Sequence, residues 1–379
     1  MASGNDKQRI QSFDVLKGFI IIAIVFVHLF FLSYSEGEAR SDAQPVIIQL
    51  LYTGLMVFFL ISGYFFRPDR GFVHNTRKRV TLLGAVFVIA NVLFPLILFV
   101  ELNLTGQGAT LEGVLDSYWN LVGGAHVFES IDNGAADAYY STVAVNCGHY
   151  FIEVMLIAFI VFYAIADRVM KDTRVAVGTV VALVLVQALY TEFVNYHLPW
   201  FAELAPIATA FMLLGAIFGK FRVVETFEAT GYKDRRYWIA FVALLVVGVV
   251  LGFLFPPGIL FDMSEFGAYG GWSAFPYFIM SACLCCAFVY IAWLVTHVPV
   301  LSDALRFAGK HTLALLIMHC FVIRLITAPF HTIPDHSYWF PEMGTVEIII
   351  VGLVTVVVIS LLAEYGPALI RKVLGKRSE

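Results

Sequence analysis

Residues 9–32 read Arg9-Ile-Gln-Ser-Phe-Asp14-Val-Leu-Lys17-Gly18-Phe-Ile-Ile-Ile-Ala-Ile-Val-Phe-Val-His28-Leu-Phe-Phe-Leu32. A run this apolar and this long crosses a hydrocarbon core of ~30 Å as one helix. A helix also satisfies its own backbone hydrogen bonds where no water can do so. Three ionisable residues nevertheless interrupt it. Lys17 and His28 stand eleven residues apart, almost three turns, so they share one face at an axial separation of ~16 Å. Asp14 lies on the same stripe. Ionisable groups inside a span are expensive, and by default they mark a pathway or an active site.

Working outward, the whole chain has this character. Of its 379 residues 60% are hydrophobic and only 14% charged, with a mean hydropathy of +0.83. Charge-poor apolar runs recur, so the sequence predicts an all-α, polytopic integral membrane protein. About ten transmembrane helices are expected, near 14–33, 46–66, 80–100, 149–166, 175–191, 202–219, 237–255, 276–296, 312–328 and 345–367. They form a single membrane domain, 1–379, with no soluble module and no clear internal repeat.

Charge placement sets the orientation. With both termini on one side, that side collects all of the 24 Lys and Arg except Lys17, Arg40 and Arg324. This asymmetry predicts cytoplasmic termini and a home in the cytoplasmic (inner or plasma) membrane. The net charge of −4 averages a basic inner face with an acidic outer one, and nothing in it points to nucleic acid. The polar start, with no small-residue cleavage site behind the first apolar run, predicts that this segment stays as a span.

Cys283, Cys285 and Cys286 read as small packing residues, while Cys147 and Cys320 show no evident partner. Neither a disulfide nor a metal is expected. Trp119, Trp200, Trp272 and Trp339 fall at or beyond the outer membrane edge. They suit an interfacial belt or a vestibule that stacks on sugar rings.

Four constellations could do chemistry. His28 lies about halfway through the membrane, where a neutral imidazole can accept a proton from a hydroxyl. Tyr150-Phe-Ile-Glu153 places a carboxylate near the outer end of another span; it must be paired, solvated or protonated, and it could orient the imidazole. Phe58-Phe-Leu-Ile-Ser62-Gly63-Tyr64 allows close helix packing. The cationic loop expected after it holds Arg67, Arg70, Arg77, Lys78 and Arg79, which suits phosphates and equally satisfies the positive-inside rule. Lastly, Gly309-Lys-His-Thr312 leads to His319 and Arg324 on one span, a pair that favours a lined cavity.

Taken in order, these stretches resemble the acyltransferase-3 family of integral membrane acyltransferases. Arg9, Phe13-Asp14-Val-Leu-Lys17-Gly18 and His28 fall in the register of its first-helix motif, with Lys17 where the family usually has Arg. Phe58-Phe59…Ser62-Gly63-Tyr64 is similar to its Phe-Phe-x-x-Ser-Gly-Phe. Arg77-Lys78-Arg79, Tyr150…Glu153, Gly215…Gly219 and Gly309…His319 look like later landmarks.

The resemblance implies transfer of an acyl group, most often acetyl, from acyl-CoA (acetyl-CoA) to a hydroxyl of a glycan, glycolipid or lipid-linked saccharide. It implies catalytic roles at His28, Glu153, Asp14 and Lys17. Donor or substrate contacts fall to Arg9, Ser62, Arg67, Arg77, Arg79, Tyr150, His319 and Arg324. Membrane lipid is a further partner, and no metal is implied. Two alternatives use similar groups: a membrane N-acetyltransferase acting on an amino sugar, and a secondary transporter. Against the transporter, the chain shows no repeated halves or paired broken helices.

Overall fold

A computed structural model of the protein describes residues 10–32, 53–68, 71–104, 110–111, 114–115, 118, 149–194, 198–230, 233–255, 270–327 and 343–373. Every described element is helical. The long helices are α1 (Gln11–Leu32), α2 (Met56–Tyr64, entered through a 3-10 turn Thr53–Leu55), α3 (Gly71–Leu104), α4 (His149–Val169) and α5 (Thr173–Phe193). A 3-10 turn Pro199–Leu204 leads into α6 (Ala205–Lys220), followed by the short α7 (Val223–Thr230) and by α8 (Arg235–Leu254). The turn Gly270–Ser273 opens α9 (Ala274–Val295), and α10 (Pro299–Lys310), α11 (Thr312–Thr327) and α12 (Thr345–Val373) complete the order.

Among the described residues, eight segments are long and apolar enough to cross a membrane, so the chain reads as a multi-pass membrane protein. Ten were expected from hydropathy. Of the segment 46–66, Thr53–Tyr64 is a short apolar helix, and residues 46–52 lie outside the described residues. The other shortfall is α11, whose 16 residues span only ~24 Å. It meets α10 at a bend of 82°, so the amphipathic α10 runs across the α11 axis instead of prolonging it.

Burial separates an inner set of helices from an outer one. α8 exposes Ile239, Val242, Val246 and Val250, and α5 exposes Val177, Val181 and Leu185. Such faces would be unstable in water, but they match lipid, which removes any drive to hide them. α1, α2 and α6 instead bury most of their side chains.

Small residues allow the inner helices to touch. A Cβ on Gly63 would overlap the Met212 carbonyl of α6; Cβ atoms on Gly215 and Gly219 would overlap the Leu60 and Tyr64 carbonyls of α2. α1 crosses α10 in the same way, with Gly18 against the Leu305 carbonyl and Gly309 against that of Asp14. Backbones approach this closely only where no side chain stands between them, the usual logic of membrane helix pairs.

Two expectations change. Arg77, Lys78 and Arg79 lie on α3, which begins at Gly71, not in a cationic loop; of that run only Arg67 is described in the connection, and Arg70 lies outside the described residues. Hydropathy marks where the bilayer begins, and a helix can extend past it by two polar turns. In addition, Cys320 is disulfide-bonded, against the expectation of no disulfide. Cys283, Cys285 and Cys286 are free thiols, and Cys147 lies outside the described residues. Sulfur pairing needs Cα atoms within about 7 Å, a tertiary approach that spacing along the chain does not disclose.

Candidate active site

α1 carries the track from which the site is built. Near its start Lys17 Nζ pairs with Asp14 Oδ1 at 2.8 Å, one turn apart, so two of the expected polar groups neutralise each other. Asp14 is buried and Lys17 half-buried. Three turns further on, the buried His28 meets α11. Its Nδ1 lies 2.8 Å from Nε2 of His319, with ring centroids 4.8 Å apart and the planes inclined by 31°. His319 is fully buried, and its Nδ1 donates to the Leu315 carbonyl at 2.8 Å. The His28 ring also hydrogen-bonds the Ile24 carbonyl, which stands four residues back just as Leu315 does for His319. Each imidazole is thus anchored to its own helix as well as to the other.

The other expected site residues are distributed around this pair. Glu153 is buried on α4, a helix packed against α3, α6 and the Pro199–Leu204 turn. Tyr150, one turn earlier, places its ring edge-on to Phe201 at 5.9 Å. Arg324 is buried on α11, five residues past His319. Ser62 Oγ donates to the Phe58 carbonyl at 2.7 Å, so its proton serves α2 while its oxygen keeps accepting capacity. Arg67, Arg77 and Arg79 are exposed; Arg79 also lies over the Phe159 ring at 5.7 Å and hydrogen-bonds Tyr163. Arg9 lies outside the described residues. The structure therefore brings His28 to His319 and Asp14 to Lys17. The group at His28 Nδ1 is an imidazole from α11, where the sequence had suggested the Glu153 carboxylate.

As a metal centre the site is poor. Donor atoms of His28, His319 and Cys320 lie within 4.8 Å of one another, yet the Cys320 sulfur is committed to a disulfide. Among the described residues that leaves two imidazoles and no thiolate, short of the three or four ligands a stable site needs.

Sequence reading missed the helix α7. Its Glu228 accepts from Ser12 Oγ at 2.6 Å and from Ser12 N at 3.3 Å, capping the N-terminus of α1 from a distant part of the chain. Its Glu225 accepts from the Tyr64 hydroxyl, and the Val224 N–H donates to the same hydroxyl at 3.2 Å. α7 thereby ties together the neighbouring ends of α1 and α2, and a cleft of about 630 Å³ opens beside it, lined by Gln11, Arg222, Glu225, Trp293 and His297. The sequence signal was the pair Val224 and Phe227, both buried, set among acids in an eight-residue stretch too short to stand out by hydropathy. The Gly309-Lys-His segment also has a structural duty. Lys310 Nζ binds both oxygens of Glu364 on α12, at 2.8 and 2.5 Å, and His311 Nε2 approaches the same carboxylate at 2.9 Å, without hydrogen-bond alignment.

Two stretches near these elements are strained: Arg222, at φ 51° just before α7, and the Pro199–Leu204 turn. Trp200 and Phe201 both take left-handed backbone angles, φ 60° and 49°, which cost side-chain-bearing residues of order 1–3 kcal/mol each. The Glu203 carboxylate accepts from the Leu198 N–H at 3.0 Å and helps hold the turn.

Comparison with known families adds one finding. The acyltransferase-3 family model, described as an acyltransferase domain, matches residues 10–364. No curated protein and no solved structure matches the chain.

Proposed function

Since this chain belongs to the acyltransferase-3 family, we propose that it moves an acyl group, most often acetyl, from a coenzyme A thioester to a hydroxyl of a glycan, glycolipid or lipid-linked saccharide. The observation that carries the reading is His28: an imidazole buried inside the first span, three turns above a paired Asp14 and Lys17. Both termini lie in the cytoplasm and the chain crosses the inner or plasma membrane about ten times, an arrangement supported by the charge asymmetry. The donor then enters from the basic face.

Arg67 and Arg77, exposed at that face, bind the coenzyme phosphates, with Arg9 and Arg79 adding positive charge. Lys17 and Ser62 line the route of the pantetheine arm. The acceptor approaches from the outer side, where Tyr150 and Glu153 present an aromatic face and a carboxylate to a sugar. Arg324 stands on the same helix as His319. At the meeting point His28 takes the hydroxyl proton as the oxygen attacks the thioester carbon. The C–O bond forms, the C–S bond breaks, and the sulfur leaves with the electron pair and then receives the proton. General-base assistance of this kind contributes ~10²–10⁴-fold, and carrying out the attack inside the membrane shields the thioester from water.

The test is to incubate membranes containing the protein with radiolabelled acetyl-CoA and follow label into lipid-linked or polymeric glycan. Label that mild alkali releases is the expected ester; alkali-resistant label would mark an amide and an amine acceptor. Uptake of a solute with no acyl-CoA requirement would remove the reading.

A further inference from the structure

A general base is useful only if its lone pair sits on the nitrogen that meets the substrate. A neutral imidazole has two tautomers, and the hydrogen bond made by one nitrogen decides the state of the other. Here the decision can be followed atom by atom. The Leu315 carbonyl can only accept, so the His319 nitrogen 2.8 Å from it, Nδ1, carries a proton. In a neutral ring Nε2 is then the acceptor. The atom 2.8 Å from that Nε2 is His28 Nδ1, which must therefore be the donor. The Ile24 carbonyl that the His28 ring also meets can only accept, so it shares this same Nδ1–H, and the lone pair of a neutral His28 is left on Nε2.

We propose that His319 is a positioning residue that holds His28 as its Nδ1–H tautomer, so that Nε2 is the nitrogen that takes the acceptor's proton. This rests on reading His28 as the base. The role is the one a buried carboxylate fills in hydrolase triads, supplied by a neutral group. The difference suits the location, because a carboxylate beside the base would add a charge to the low-dielectric interior, where an uncompensated ion is costly. A neutral partner stabilises imidazolium less. His28 then keeps the proton only until the departing sulfur takes it, and the dyad returns to its starting state with no proton left inside the membrane.

The relay also explains why both rings are bonded to their own helices. Leu315 fixes the tautomer of His319, and the Ile24 contact fixes the plane of His28 on α1. Since α1 and α11 pack together directly, the dyad is held by two helices and not by a loop. The other candidate for an orienting group, Glu153, lies on α4, and the structure puts His319 at Nδ1 instead.

The experiment uses the full-length protein labelled with ¹⁵N-histidine in lipid. The ring shifts of His28, assigned by their loss in His28→Ala, report which nitrogen carries the proton without requiring turnover. The wild type should show Nδ1–H at His28. His319→Ala should lose that signature and lower kcat by ~10²-fold or more, since losing the tautomer-fixing group of a triad costs up to ~10⁴, while the donor KM stays unchanged. His319→Gln, whose amide oxygen falls where Nε2 stood, should restore the signature and at least ~10-fold of the rate. An Nε2–H tautomer at His28 in the wild type overturns the proposal, and so does His319→Ala with wild-type kcat. Should His319→Ala fail to fold, the wild-type spectrum and the Gln variant still decide. Full turnover by His28→Ala overturns the base itself, and it is told apart because the wild-type tautomer would be as expected.

Discussion

His28 Nδ1 and His319 Nε2 meet at 2.8 Å although 291 positions separate them in the chain. A single span cannot bury a lone imidazole cheaply, because a polar group in an apolar medium without a partner costs several kcal/mol. Two spans that each bring one, with a backbone carbonyl behind each ring, remove most of that cost. The contact therefore fixes the rotational setting of α1 against α11 as well as serving chemistry. A change in either ring tests both.

Replacing His28 by Ala is expected to abolish acyl transfer while leaving a membrane-inserted, folded protein. Losing a general base should lower kcat by ~10²–10⁴-fold. The stability cost is the hydrogen bond left unmade at His319, ~1–3 kcal/mol. Label transfer per unit of purified protein measures the first and thermal unfolding in detergent the second. Near-normal turnover would remove the mechanism.

The close crossings of α2 on α6 and of α1 on α10 make an independent prediction about stability. Gly63→Ala sets a Cβ into the Met212 carbonyl, and Gly309→Ala sets one into that of Asp14. In both cases backbone, not a flexible side chain, would have to move. Overpacking of this kind costs ~1–3 kcal/mol or more, so both variants should melt several degrees below the wild type. Gly84→Ala and Gly178→Ala are the controls. Both stand in helices with open space around the new Cβ, and alanine favours a helix by ~1 kcal/mol over glycine, so neither should melt lower. Equal behaviour of all four would mean that the close crossings are absent.

The features legible in the sequence were those set by solvent. Membrane character, all-helical class and most span positions follow from runs of apolar residues. The close approach at Gly63 follows from Ser62-Gly63, two small residues inside an apolar run. What stayed hidden depends on tertiary approach. Nothing along the chain says that His319 faces His28, that Cys320 is bridged, or that Glu228 caps α1 from 216 residues away. Arg77 to Arg79 were placed in a loop because hydropathy stops at the bilayer surface while the helix continues. Glu153 was the natural candidate for an orienting group, since acid–histidine pairs are familiar; a second imidazole leaves no such mark when its neighbours are all apolar.

The tie made by α7 predicts a separable effect. Tyr64→Phe keeps the ring and its edge-on contact with Phe13 at 5.0 Å but removes the hydroxyl shared by Glu225 and the Val224 N–H. Leaving those groups without their partner should cost ~1–3 kcal/mol. The chemistry, about four turns of α1 away, should persist at low temperature. A thermal melt lowered by several degrees with unchanged kcat for label transfer is the expected pair of results. Unchanged melting would mean that α7 does not fasten α2.

Lys17 stands where the resemblance to the first-helix motif would put Arg, and its ion pair gives that difference a testable sense. The ammonium meets Asp14 at 2.8 Å, with the lysine side chain 28% exposed and the aspartate 8%. One side of the cation is therefore held by the protein, and the remainder is partly exposed. Lys17→Met leaves a buried carboxylate without its cation, and breaking a buried pair costs ~3–5 kcal/mol; partial exposure here should bring the loss towards the lower end. The same variant should raise the donor KM if Lys17 also attracts the coenzyme. Lys17→Arg restores the planar fork, which can bind Asp14 through one edge and a phosphate or carbonyl through the other. It should melt like the wild type and lower the donor KM. Two measurements on each variant, thermal unfolding and the KM for acetyl-CoA, separate the roles. A Lys17→Met protein that melts lower with an unchanged donor KM would assign Lys17 to the fold alone.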